Sequence, residues 1–374
     1  MAKITSLLLS LILIFNCSNN TKQNNVTFNT SLGGNDRDRG ESVQQTSDGG
    51  YIITGFTKSY GEGFTDVVLL KTDFRGKQEW IKTFGGLDVD GGESVQLTSD
   101  GGFIVTGCFG SINHSLFLLK TDSFGNEEWF KTFKKDEYDC GYSVQQTTDG
   151  GYVIIGGDWL IKTNSIGDEE WSKTVGDDFR DLVSISETLD TGFILTGSGK
   201  SKNNDEGYDI LLIKTDALGD EVWERAFGGS GFPRASSAHQ TLDGGYIIFG
   251  STDYNSIGGT NVWLIKTNRE GIEEWNKTFK YGGRTFGRSG QQTSDGGFIV
   301  GGDIKIDGEK FNEMSSYLLK TNSLGEEEWV RVFRGPYISY VRQTHDGGYV
   351  FTGLSSSKDI WLAKTDSSGN ILAK

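Results

Sequence analysis

The chain has 374 residues, 35% of them hydrophobic and 12% aromatic, with 54 glycines, 2 prolines and a formal charge of -15. This is enough apolar surface for a core and too little proline for Pro-rich linkers or a collagen-like array, and the length suits two average domains or one closed repeat fold. The acidic balance argues against nucleic acid or an anionic bilayer as the main partner, because phosphate binding needs a basic face; solubility is its plain explanation.

Lys3 gives the N-terminus a positive charge, Leu7 to Phe15 is an apolar run too short to span a bilayer comfortably, and polar Ser18-Asn19-Asn20 follows. This pattern predicts a signal peptide over residues 1–16. No other stretch approaches transmembrane length. Leu13-Ile14-Phe15-Asn16-Cys17 resembles a bacterial lipobox, in which the chain is cut before the Cys and the Cys receives a diacylglycerol. Asn16 stands where that family usually carries Gly, Ala or Ser. The resemblance implies lipidation of Cys17, a polar tether over 17–25, and a place on an outer membrane or cell surface through the anchor alone. An ordinary secretory signal with an incidental Cys is the alternative.

From residue 26 the chain repeats itself. Thr46-Ser47-Asp48-Gly49-Gly50-Tyr51 returns at Thr98 to Phe103, Thr147 to Tyr152, Thr188 to Phe193, Thr241 to Tyr246, Thr293 to Phe298 and Thr344 to Tyr349. The steps between successive Asp residues are 52, 49, 41, 53, 52 and 51. A period near fifty with strand-like content points to stacked units of one kind. In the first unit, Glu41 to Thr46 alternates as a strand, Asp48-Gly49-Gly50 is a hairpin turn and Tyr51 to Thr54 is a second strand. A variable loop runs from Gly55 to Thr65. Asp66 to Thr72 is a third strand, apolar on both faces; Asp73 to Gly76 turns the chain, and Glu79 to Phe84 is the fourth strand. Four short antiparallel strands per repeat describe a propeller blade, so residues 26–374 are expected to form a seven-bladed all-β propeller.

Lys-Thr-Asp/Asn stands at Lys71, Lys120, Lys162, Lys214, Lys266, Lys320 and Lys364, but the fourth-strand Trp stands only at Trp80, Trp129, Trp171, Trp223, Trp275 and Trp329. The seventh blade therefore lacks its last strand. Phe28 to Gly34 aligns with Trp80 to Gly86, which lets the N-terminal segment complete that blade and remove a free sheet edge. Ile371 to Lys374 competes for the same slot but stops short. Each Trp is expected to be buried between blades, worth about 5 kcal/mol before entropy. The repeated Asp is read as a turn former, since one catalytic role repeated seven times makes no chemical sense.

Cys108 and Cys140 and the histidines His114, His239 and His345 have no metal-ligand spacing, so no metal site is expected. The two cysteines either pair as a disulfide in an exported protein or stand as separate buried thiols. Asp-rich loops (Asp88, Asp90; Asp177, Asp178; Asp303, Asp307) match no recognised calcium loop and read as solvated acids.

Leu69-Leu70-Lys71-Thr72-Asp73-Phe74-Arg75-Gly76-Lys77-Gln78-Glu79-Trp80 is similar to the strand-turn-strand motif of quinoprotein-like propellers. The whole unit resembles propeller repeats of uncharacterised bacterial and archaeal surface proteins. That family resemblance implies the fold and little about activity. Quinone-cofactor enzymes add a cofactor pocket with a metal and a base, and no residues here can be assigned to those roles; no cofactor is expected. Thr46 to Gly50 also resembles the core of the sialidase Asp-box, a structural turn, without the Trp that normally follows it.

The short turns share one face of such a fold, and the variable loops and blade links share the other. Function concentrates on varied loops over a rigid scaffold, so binding is expected there and at the channel mouth. The first strand lines the channel with a repeated Ser and Gln. The departures are His239, Arg342 and Tyr340, with Arg288 beside them and Arg234 before blade five. This half-ring suits a carboxylate or acidic glycan; the alternative is that these cations pair with Glu41, Glu93 or Glu187 around the channel. No catalytic residue is assigned. The reading is a monomeric, lipid-anchored extracytoplasmic module that binds a protein or glycan. One alternative is an outer-membrane assembly factor like the quinoprotein-like lipoproteins. The other is a sialidase-like glycosidase using Tyr340 near Arg288 and Arg342.

Overall fold

The computed structural model describes residues 26–371 apart from 111–113, 136–138, 176–179, 201–206, 229–230, 253–258, 306–314 and 335–336. The expected signal peptide, Cys17 and the expected tether, residues 1–25, lie outside the described residues. Seven sheets of four antiparallel strands stand in a ring, making a seven-bladed β-propeller. Blade one runs through Asp38–Gln45, Tyr51–Thr57, Asp66–Thr72 and Gln78–Phe84 from the channel outward. The third strand is buried at every residue, because neighbouring blades cover both of its faces. The first strand begins earlier than its alternation suggests, at Asp38. A bulge between Gly40 and Ser42 shifts the register there and hides the continuity.

Phe28–Leu32 closes the ring as the outer strand of blade seven, paired antiparallel with Ile360–Thr365 from Phe28↔Lys364 to Leu32↔Ile360. Asn29 Oδ1 accepts the Trp361 indole N–H at 2.6 Å. The channel side is locked by a second device. Gln45 Oε1 accepts the His345 N–H of blade seven at 2.9 Å. The residue at the same position does the same for the preceding blade at Gln146, Glu187, Gln240, Gln292 and Gln343. Leu97 holds that place in blade two.

The blade Trp residues are half-buried, not enclosed as expected. The fourth strand is the outermost, so each ring is laid over the turn glycine of the next blade. Trp80 lies over Gly125, at φ +74°, where an added Cβ would come within 2.7 Å of the ring. Phe28 takes the seventh such place, over Gly76. Each ring also meets the aromatic residue that follows the next Asp-Gly-Gly turn: Trp80 meets Phe103 at 6.3 Å and Phe28 meets Tyr51 at 5.6 Å between centroids. The Phe or Tyr of the repeat is thus half of an inter-blade contact.

The two most faithful motifs join in space. Lys71 Nζ, almost fully buried, donates to Asp48 Oδ2 at 2.8 Å, the Thr72 carbonyl at 3.0 Å and Glu79 Oε2 at 2.9 Å. Asp48 Oδ1 meanwhile accepts from Thr46 Oγ1 at 2.5 Å and Gly50 N at 2.9 Å. The second glycine of the turn is required for space, since a Cβ on Gly50 would strike the Thr72 carbonyl and the ammonium. The first, Gly49, sits at φ +84°. So the repeated Asp is both a turn former and the counter-ion of a buried lysine. Burial alone would raise the Asp100 carboxyl, but Thr98, the Gly102 N–H and Lys120 outweigh it and hold it at about 2. Blade four departs: Val222 replaces the Glu, and Lys214 has Asp190 as its carboxylate.

Candidate binding site in the central channel

Each first strand runs from the variable-loop face toward the turn face, so its residues line the channel in successive levels. Level with the residue before the repeated Ser stand Glu41, Glu93, Tyr142, Val183, Ser236, Arg288 and Ser339. Two residues beyond the Ser, deeper, stand Gln44, Gln96, Gln145, Ser186, His239, Gln291 and Arg342. A cavity of about 350 Å³ opens between these levels. His239, Arg288, Tyr340 and Arg342 all line it, with Glu93 and Tyr142 opposite. Arg234 does not. It is exposed at the start of its strand. It faces Asp181, whose carboxyl burial raises and Arg234 draws back down.

Arg288 Nε donates to Asp303 Oδ2 at 2.8 Å, and Asp303 is 2% exposed. Arg342 Nη2 donates to the Tyr340 hydroxyl at 2.8 Å, with the guanidinium 5.4 Å from the Tyr340 ring centroid. Burial, then the charge of Arg342, pushes His239 down to about 4, so its imidazole is neutral. Its Nδ1 lies 3.3 Å from Ser186 Oγ. The alternative pairing, with Glu41, Glu93 or Glu187, is not a direct ion pair of these cations among the described residues, although the charge of Arg288 is felt at Glu41. Arg288 uses Asp303, Glu41 pairs with Arg39 at 2.9 Å, and Glu187 accepts from Thr148 N at 3.0 Å near the turns. Arg39 and Asp303 are the channel residues the sequence reading missed as partners. Arg39 occupies in blade one the place Arg234 holds in blade five, three residues before the Ser, beyond the bulge. Alignment across that bulge is the signal that finds it. Among the described residues Arg342 has no carboxylate partner.

Glu93 is pushed up to about 8 by burial and then by the charge of Glu41; Glu41 is itself raised by burial against the pull of Arg39. Burial and the neighbouring Glu41 charge both favour the protonated form of Glu93. A raised carboxyl contributes stability that is complete below the ordinary value of 4.5 and is lost as the pH rises through about 8. Glu93→Gln, which cannot ionise, is expected to match the parent in urea unfolding at pH 4 and exceed it at pH 9. Equal midpoints at pH 9 would remove the buried-acid assignment.

Cys108 and Cys140 are joined. The bond ties the end of a second strand in blade two to the link into blade three, at the variable face. Of the acidic loops, Asp90 accepts the N–H groups of Gly86 at 2.8 Å and Gly110 at 2.7 Å, which makes it a loop brace. Asp177, Asp178 and Asp307 lie outside the described residues. No group of three or more His, Cys, Asp or Glu side chains that could hold a metal occurs among the described residues.

No protein-family model matches the chain. No curated protein matches it either. Among solved structures it is similar to a protein of unknown function from Bacteroides caccae, at 12% identity and TM-score 0.45, over 69% of this chain and 88% of that one. It is also similar to the extracellular domain of a B. thetaiotaomicron protein described as a hybrid two-component system. There the identity is 11% and the TM-score 0.52, over 88% of this chain and 39% of that one. At such identity the likeness is one of fold.

Proposed function

We propose that the protein is a lipid-anchored extracytoplasmic module that binds a protein or glycan through its variable-loop face and channel mouth. The observation that carries this is convergence. Three residues that break the repeat, His239, Tyr340 and Arg342, meet in one cavity with Arg288 from a level that varies between blades. The variable face also exposes large apolar tips: Phe64 at 75% and Leu87 at 76%, on a loop and a link tied together by the Phe64 N–H to Asp88 carbonyl bond at 3.0 Å. Aromatic and aliphatic anchors on a polar rim suit a protein contact. The direction of the chain supports the anchor. Phe28 enters its strand over Gly76, and Val26 lies beside Ser47 to Gly49, both on the turn face. A lipid on Cys17, nine residues before Val26 and within roughly 30 Å of extended chain, would hold the turn face toward the membrane and present the variable face outward. The extracellular setting of the second structural neighbour is in keeping with this.

Phe64→Ser with Leu87→Ser is expected to weaken capture of the cognate ligand at least tenfold in pull-down and biolayer measurements. Leu189→Ser with Leu242→Ser, exposed on the turn face, is expected to leave it unchanged. The reverse pattern would move the binding face. The pairing of Tyr340 with Arg342 inside one cavity with Arg288 favours a second reading, glycoside cleavage. It stands if aryl glycosides are turned over and Tyr340→Phe abolishes the turnover.

A further inference from the structure

Resting on the reading of the channel as a binding site, we infer that its blade-seven side holds the carboxylate of a sugar acid, with Arg342 and Tyr340 as the contacting residues. The repeat supplies its own control. At the Ser position six blades have Ser and blade seven has Tyr340; at the deeper position four blades have Gln and blade seven has Arg342. The Ser is a frame residue. Ser42 Oγ accepts the Val95 N–H of the next blade at 3.3 Å, and Ser143, Ser184 and Ser289 accept in the same way. Blade five keeps the Ser without this bond, whereas blade seven replaces the Ser outright with a large side chain, and a site that breaks the local rule of its own fold is where function is expected.

Charge then selects the ligand. Arg288 is matched by Asp303 and Arg39 by Glu41. Burial disfavours the charged forms of both His239 and Glu93. Arg342 is left as the cation in the cavity with no carboxylate beside it among the described residues, and its buried Nε–H has no hydrogen-bond partner. A partly desolvated guanidinium without a counter-ion is costly, and its planar fork fits a carboxylate. Size and lining select the rest of the molecule. About 350 Å³ admits one or two pyranose rings. Gln96, Gln145, Ser186 and Ser236 offer amides and hydroxyls to sugar hydroxyls, while the Tyr142 and Tyr340 rings offer apolar faces.

The test is calorimetric titration of the full chain at pH 7 with galacturonate and glucuronate, each as monosaccharide and disaccharide. Galactose and glucose serve as neutral counterparts and acetate as the bare carboxylate. The acids are expected to bind at least tenfold more tightly than the neutral sugars and than acetate. Arg342→Gln restores the residue used by blades one, two, three and six, so it should keep the melting temperature and lose the preference for acids. Tyr340→Ser, also a return to the repeat, should weaken the acids more than the neutral sugars, which lose only the apolar face of the ring. Acid and neutral sugars binding alike, acids failing to bind, or a preference that survives Arg342→Gln would each overturn the inference. A ligand sensitive to Phe64 and Leu87 but indifferent to Arg342→Gln would leave the wider binding reading standing without it.

Discussion

Asp190→Ala is expected to cost about 3 kcal/mol in urea unfolding, at the low end for breaking a buried ion pair. The low end applies because the Asp190 side chain is 66% exposed while Lys214 is 6% exposed, so water reaches one partner of the pair. In blades one, two, three, five and six the lysine keeps a glutamate when its aspartate is lost. Among the described residues Lys214 then keeps only the Thr215 carbonyl, at 2.7 Å. Asp100→Ala, which leaves Glu128 on Lys120 at 2.9 Å, is therefore expected to cost less than Asp190→Ala. Adding Lys214→Met to Asp190→Ala should recover most of the loss, because the uncompensated ammonium and not the missing turn bond is the source. Equal costs in the two blades, or no recovery, would show that the aspartate acts only through the Thr-Asp-Gly-Gly turn.

Deleting residues 26–32 should have the second large effect. Blade seven would keep three strands, and Ile360–Thr365 would become a free edge carrying buried Ile360, Trp361 and Leu362. Such an edge pairs with other chains. We expect a lower melting temperature and concentration-dependent oligomers on size exclusion, both reversed by a peptide spanning residues 26–34 added in trans. A monomer with the parent melting temperature would mean that the other three strands suffice and the closure is ornamental.

Much of the frame was legible in the sequence because the repeat reports whatever every blade must do. The turn at Asp48-Gly49-Gly50, the third strand Asp66–Thr72 and the closing strand Phe28–Leu32 all follow from the period. What escaped depends on distance across strands. Lys71 and Asp48 are each conspicuous, but nothing in their separation along the chain says that the ammonium folds back across the second strand to the turn. The half-buried Trp80 escaped for a related reason: apolar character predicts contact, not which side remains wet at the rim of a sheet. In the channel, the cations were visible as departures from the pattern, whereas their partners were not. Asp303 comes from a second strand, and Arg39 sits beyond a bulge that breaks the alignment of blade one with its neighbours. The bond between Cys108 and Cys140 was open in the sequence because only the ring sets the two loops side by side.

The glutamine lock at the channel wall bears on how the molecule answers to mechanical load. The seam between blades seven and one carries the same bond, from His345 to Gln45, as the other joints. The joint without it lies between blades one and two, at Leu97, in the middle of continuous chain. Tension applied at Val26 thus meets a seam secured on both its inner and outer margins, away from the joint that lacks the bond.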